Sequence, residues 1–156
     1  MLRLDIAAVT DHVGRPGSGQ LALAIVLFAG LSEAFGNSVV LFVNRVRPVR
    51  FLMTLLVVSV IFAFTYLFWT LTVHLVARLA FGASASFAVV AELIAFGFAP
   101  RVLGFLEFLP VLGRPIASLL RIWSLLAVLL LVAGVLDLTS WQALATVALG
   151  AVALLT

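Results

Sequence analysis

Long apolar runs separated by short polar turns dominate the chain. Leu21 to Asn44, Phe51 to Ala80, Phe87 to Phe108, Ile116 to Leu136 and Trp141 to Thr156 are each rich in Leu, Val, Ala and Phe. A bilayer core is crossed by about 20 apolar residues in a helix. The pattern therefore predicts an all-α, polytopic helical membrane bundle with four to five transmembrane helices. The Phe51–Ala80 run exceeds that length and is expected to tilt or protrude. The last run is short for a full span, and Ser140 is the expected N-cap of its helix.

Leu21 to Asn44 leaves two alternatives open. Gly30, Glu33, Asn37 and Asn44 recur at spacings of three, four and seven, so they form one stripe of a helix. Either the helix spans with the stripe against protein, or it lies at the interface with the stripe in water. Residues 1–20 form a polar N-terminal segment and residues 21–156 the membrane helical domain. Leu2, Leu4, Ile6 and Val9 alternate with charges in a pattern that suits a short surface helix. Gly14-Arg15-Pro16-Gly17 breaks it. Its two acids argue against a signal peptide.

Turn chemistry orders the membrane domain. Arg45-Val46-Arg47-Pro48-Val49-Arg50 is the densest charge, and the positive-inside rule makes it cytoplasmic. Pro100 interrupts the Phe87–Phe108 run and frees the carbonyl of Phe96. Pro110, Gly113 and Pro115 then make the next turn.

Composition supports the choice of solvent. Hydrophobic residues make up 65% of the 156 and charged residues 10%, against about 45–50% and 25% in soluble domains. Cysteine is absent, which excludes disulfides, thiol nucleophiles and thiolate metal sites. All nine cationic residues are arginine, which removes lysine chemistry. The arginines are dispersed and the phenylalanines lie in apolar runs, so no nucleic-acid partner is expected. His12 and His74 are far apart with no ligand-spaced neighbour, so no metal site is expected. Ser124 and His74 match an intramembrane protease by residue type alone. The chain is expected to be no enzyme and to use no cofactor.

Charges inside the hydrocarbon need partners or a route to the headgroups. Glu92 and His74 flank the Gly82 turn at similar depth, so Glu92 is expected to meet Arg78 or His74; the alternative is that the two cations snorkel. Glu107 is expected to pair with Arg114 or Arg121 across the next turn, and Arg101 either answers the freed carbonyl or reaches the headgroups. Ala95/Ala99 and Thr146/Gly150 have the four-residue spacing of close helix contacts.

Ala95-Phe96-Gly97-Phe98-Ala99-Pro100, then Leu109-Pro110-Val111-Leu112-Gly113, then Ile122-Trp123-Ser124 resembles the Yip membrane family (Ypt/Rab-interacting proteins) and its bacterial relatives. The likeness extends more loosely from about Leu31 to the C-terminus, with Gly97, Phe98, Pro100, Pro110 and Gly113 at the motif positions. Gly97-Phe98 stands where the family carries Gly-Tyr, and the long polar N-terminal region of eukaryotic members is reduced to residues 1–20. The resemblance implies a five-helix integral membrane bundle, with trafficking roles in eukaryotes. The expected role is a scaffold or accessory subunit that meets membrane lipids and other membrane-protein subunits. A small transporter or channel using Glu92 and His74, or Glu33, Asn37 and Asn44, is the alternative. The absence of lysine and the compactness favour a bacterial inner membrane or a related internal membrane.

Overall fold

The computed structural model describes residue 11 and residues 13–43, 48–109 and 111–153. Side chains of 37–43, 48 and 151–153 are not described. The segment Met1–Thr10, His12, Asn44, Arg45, Arg47 and Pro110 lie outside the described residues.

Among the described residues five long α-helices follow in order: α1 Ser18–Val43, α2 Pro48–Phe81, α3 Phe87–Gly97, α4 Gly113–Val135 and α5 Ser140–Ala153. A 3-10 segment, Ala99–Phe108, continues α3. The described residues contain no strand. Ser18–Gly36, Val49–Phe81, Phe87–Phe108 and Gly113–Val135 are long and apolar enough to cross a membrane. The chain is a multi-pass integral membrane protein of the all-α class.

The first run resolves in favour of a spanning helix. Ala22, Val26, Ala29 and Ala34 are buried. Gly30 faces Phe62 of α2, and Glu33 reaches Arg101. The described part of the polar stripe, Gly30 and Glu33, therefore points into protein. Of the last run, 14 residues are described as α5, about 21 Å of helix against the ~30 Å hydrocarbon core. Its cap differs by one residue from the expected Ser140. The Thr139 N–H donates to Gln142 Oε1 and the Gln142 N–H to Thr139 Oγ1, a capping box in which two end groups satisfy each other.

With four crossings, the α1–α2 and 108–113 turns share one end of the bundle, called here the arginine end. Residues 13–17 and the turns at 82–86 and 136–139 share the other, the N-terminal end. Helix α2 measures these ends. Its 34 residues make about 51 Å. Arg50 and Arg78, 28 positions apart, are separated by about 42 Å along the axis, close to the ~40–45 Å from headgroup to headgroup.

Helix α3 is the centre. Val90, Leu93, Ile94, Ala95 and Phe98 are buried, and α3 packs on α1, α2 and α4. The Phe98 ring gathers Phe62, Tyr66 and Trp69 of α2, with centroids 5.7, 6.0 and 5.4 Å away. Helix α4 presents Leu120, Ser124, Ala127, Val128, Leu131 and Val132 inward, a repeat of three and four residues that makes one helical face. Thr146 and Gly150 of α5 are buried, with Gly150 against Trp69 and Val73. Of the other small pair, Ala95 is buried but Ala99 is exposed.

Pro100 does more than loosen its helix. It has no N–H to give to the Phe96 carbonyl. The α-pattern stops at Gly97, and the Arg101 N–H turns to the Phe98 carbonyl at 2.8 Å. Ten residues then follow the tighter winding, in a run far longer than the usual three or four. This winding rises about 2.0 Å per residue, so the segment covers about 20 Å where an α-helix would cover about 15 Å.

A candidate polar site at the arginine end

In 3-10 winding, residues three apart eclipse one another. Arg101, Gly104 and Glu107 therefore stand in one row. Gly104 lies against the Glu33 backbone at 3.4 Å from the point where a Cβ would stand, while the corresponding point at Gly36 is 2.6 Å from the Gly104 carbonyl. Helix α1 and the 3-10 segment thus touch backbone to backbone. Ser32 fastens the contact: its hydroxyl donates to the Val102 carbonyl at 2.6 Å and accepts the Phe105 N–H at 2.7 Å. Ser32→Ala removes both bonds. Thermal denaturation in detergent should show a loss of about 2 kcal/mol; a stability equal to the unaltered protein would mean that Ser32 does not fasten these segments.

Directly beside this contact, Arg101 Nη1 meets Glu33 Oε2 at 3.3 Å, with both side chains about one-fifth exposed. The guanidinium also lies over Phe98 at 5.1 Å and Phe62 at 5.8 Å, where the ring faces attract a cation. Arg101 is thus held inside the bundle by a carboxylate and two rings, and is not spent on the freed Phe96 carbonyl or the headgroups.

Two cavities open at this end, the first beside the pair. One of about 360 Å³ is lined by Glu33, Val58, Phe62, Thr65, Arg101 and Arg121. The other, about 570 Å³, is lined by Gly36, Glu107, Gly113, Arg114, Ser118 and Arg121. Arg121 borders both. The expected partnership of Glu107 with Arg114 or Arg121 takes the form of a shared cavity wall, since among the described residues neither arginine forms an ion pair with Glu107. The turn brings Glu107 there by main-chain contact: the Glu107 carbonyl lies against Gly113, where a Cβ has no room. That contact leaves room for glycine alone at position 113.

Glu92 belongs to the opposite end and does not pair with Arg78 or His74. Its carboxylate Oε2 accepts the Gly14 N–H at 2.9 Å. The His74 ring meets Phe87 edge-on at 5.8 Å, and Arg78 is exposed in the last turn of α2. Tyr66 donates its hydroxyl to the Ala91 carbonyl at 2.7 Å next to Glu92. Comparing depths within one hairpin pointed to Arg78 and His74, because it left out the segment before α1. That segment folds back through Gly14 and Gly17, both at positive φ, with Arg15 paired to Asp11 at 2.7 Å.

Other groups stand apart. Ser124 is buried on α4, and its hydroxyl has no hydrogen-bond partner among the described residues. His74 sits on α2 near the N-terminal end. No three His, Asp or Glu side chains converge on a common point among the described residues. Asn37 has no described side chain and Asn44 is outside the described residues, so of the polar stripe Gly30 and Glu33 are placed. No protein-family model, curated protein or solved structure matches the chain.

Proposed function

We propose that this membrane protein is a non-enzymatic scaffold or accessory subunit that works by lateral contact with another membrane protein, in the manner implied by its Yip-like Gly97-Phe98, Pro100, Pro110 and Gly113 pattern. The observation that carries this reading is the long exposed apolar face of α2. Gly150 of α5 lies against Trp69 and Val73, while Phe64, Phe68, Leu71 and Leu75 in the same half of α2 are exposed. Toward the arginine end, Leu52, Met53, Leu56, Val57, Val60 and Ile61 of α2 are exposed. An apolar face of this length offers a second membrane chain a continuous surface.

Photo-crosslinking side chains at Leu56, Val57 and Ile61 test this in native membranes. One discrete protein adduct of constant mass is expected at all three, with lipid adducts at Ile122 on the exposed face of α4. Lipid adducts alone at every position would remove the basis for the proposal. One observation favours the transporter reading instead, namely that two cavities meet at Arg121. Solute or ion flux in proteoliposomes that falls with Arg121→Gln would support that alternative.

A further inference from the structure

The cavity at the arginine end is lined by two guanidinium groups and one carboxylate, with no ion pair formed between them. Arg114, Arg121 and Glu107 line it, yet the ion pairs among the described residues are Arg15–Asp11 and Arg101–Glu33. A charge at bilayer depth costs about 2.5–3.5 kcal/mol on insertion scales, and here two guanidinium groups face one carboxylate, so the opening favours a ligand that brings countercharge. Arg114 is the second residue of α4 and stands at its arginine-end terminus. Arg121 follows seven residues later, about 10 Å deeper, a distance that its long side chain can largely recover by extending toward the headgroups. Glu107 is fixed beside the same turn through its carbonyl contact with Gly113.

This arrangement fits a group with both signs of charge. Guanidinium groups bind phosphate oxygens with paired N–H donors, and the positive end of the α4 dipole adds to the attraction. The carboxylate opposes a purely anionic ligand but attracts an ammonium. We propose that this cavity binds an aminophosphate headgroup, phosphate on Arg114 and Arg121 and ammonium on Glu107. A phosphatidylethanolamine of the surrounding leaflet and a free phosphoethanolamine share this chemistry. The proposal stands independently of the exposed face of α2.

Purified, delipidated protein can be titrated with short-chain phosphatidylethanolamine, phosphatidylglycerol and phosphatidylcholine under native mass spectrometry. Phosphatidylethanolamine should be retained at least fivefold over the other two. Arg114→Gln with Arg121→Gln should abolish retention of all three. Glu107→Gln, which keeps the side chain's shape, should retain binding but bring phosphatidylethanolamine down to the level of phosphatidylglycerol. If the double arginine variant fails to fold, the Glu107→Gln comparison alone decides. Competition separates the sources: displacement of the lipid by equimolar phosphoethanolamine marks a free ligand, and its failure to compete marks the lipid. Equal retention of the three lipids by the unaltered protein, or an unchanged preference in Glu107→Gln, overturns the proposal.

Discussion

Gly97→Leu is expected to destabilise the bundle by about 3 kcal/mol or more, at the upper end of what overpacking costs. A Cβ at Gly97 would overlap the Val128 side chain and lie 3.1 Å from both the Val128 Cα and its backbone nitrogen. A side chain can change rotamer, but here two main chains must part, and both α3 and α4 belong to the packed centre. Thermal denaturation in a mild detergent reads the loss. Ala99→Leu serves as the control, two residues away and exposed, and should be within about 0.5 kcal/mol of the unaltered protein. Adding Val128→Ala to Gly97→Ala should recover part of the loss and not all, because the backbone contact persists. A Gly97→Leu protein as stable as the original would show that the helices are not in contact there.

Arg101→Leu is the second large effect. It leaves Glu33 without its cation inside the bundle, and breaking one side of an enclosed ion pair costs about 3 kcal/mol. Glu33→Leu should be comparably harmful, since Arg101 would keep the rings of Phe98 and Phe62 but lose its ion pair. The double variant Glu33→Leu with Arg101→Leu should lie within about 1 kcal/mol of the unaltered protein, because no charge is then left enclosed. The four stabilities form a cycle whose coupling isolates the pair. A double variant no more stable than the worse single one would mean that the pair is not what holds these side chains in the bundle.

How legible these features were in the sequence depends on the winding. Where the chain keeps 3.6 residues per turn, apolar and polar positions sort correctly: Gly30 and Glu33 fall on one inward stripe of α1, and Leu120, Ser124, Ala127 and Leu131 on one face of α4. After Pro100 the period becomes three. An α-helical reading groups Arg101 with Phe105 and Phe108, whereas the observed winding groups it with Gly104 and Glu107. That shift brings Arg101 to Glu33 and Glu107 to the cavity of Arg114 and Arg121. The proline announces a break, but nothing local announces that ten residues will keep the tighter winding. That choice is made by tertiary contact, with Ser32 bonded to Val102 and Phe105 and Gly36 against Gly104. Glu92 illustrates the other limit: its partner is a backbone N–H 78 positions away in sequence, in a turn with no helical period to extrapolate. The polar class of the N-terminal segment was readable, but its docking was not.

The length of α2 has a consequence for the membrane itself. A helix with arginines at Arg50 and Arg78 favours a bilayer whose two headgroup layers are about 42 Å apart. Membranes differ by several Å in hydrocarbon thickness. In a thinner one, α2 must lean, and it carries α1, α3 and α5 with it because all three pack against it. The protein would thus register bilayer thickness as a tilt of the whole body, and hydrophobic matching alone would bias it toward the thicker regions of a heterogeneous membrane.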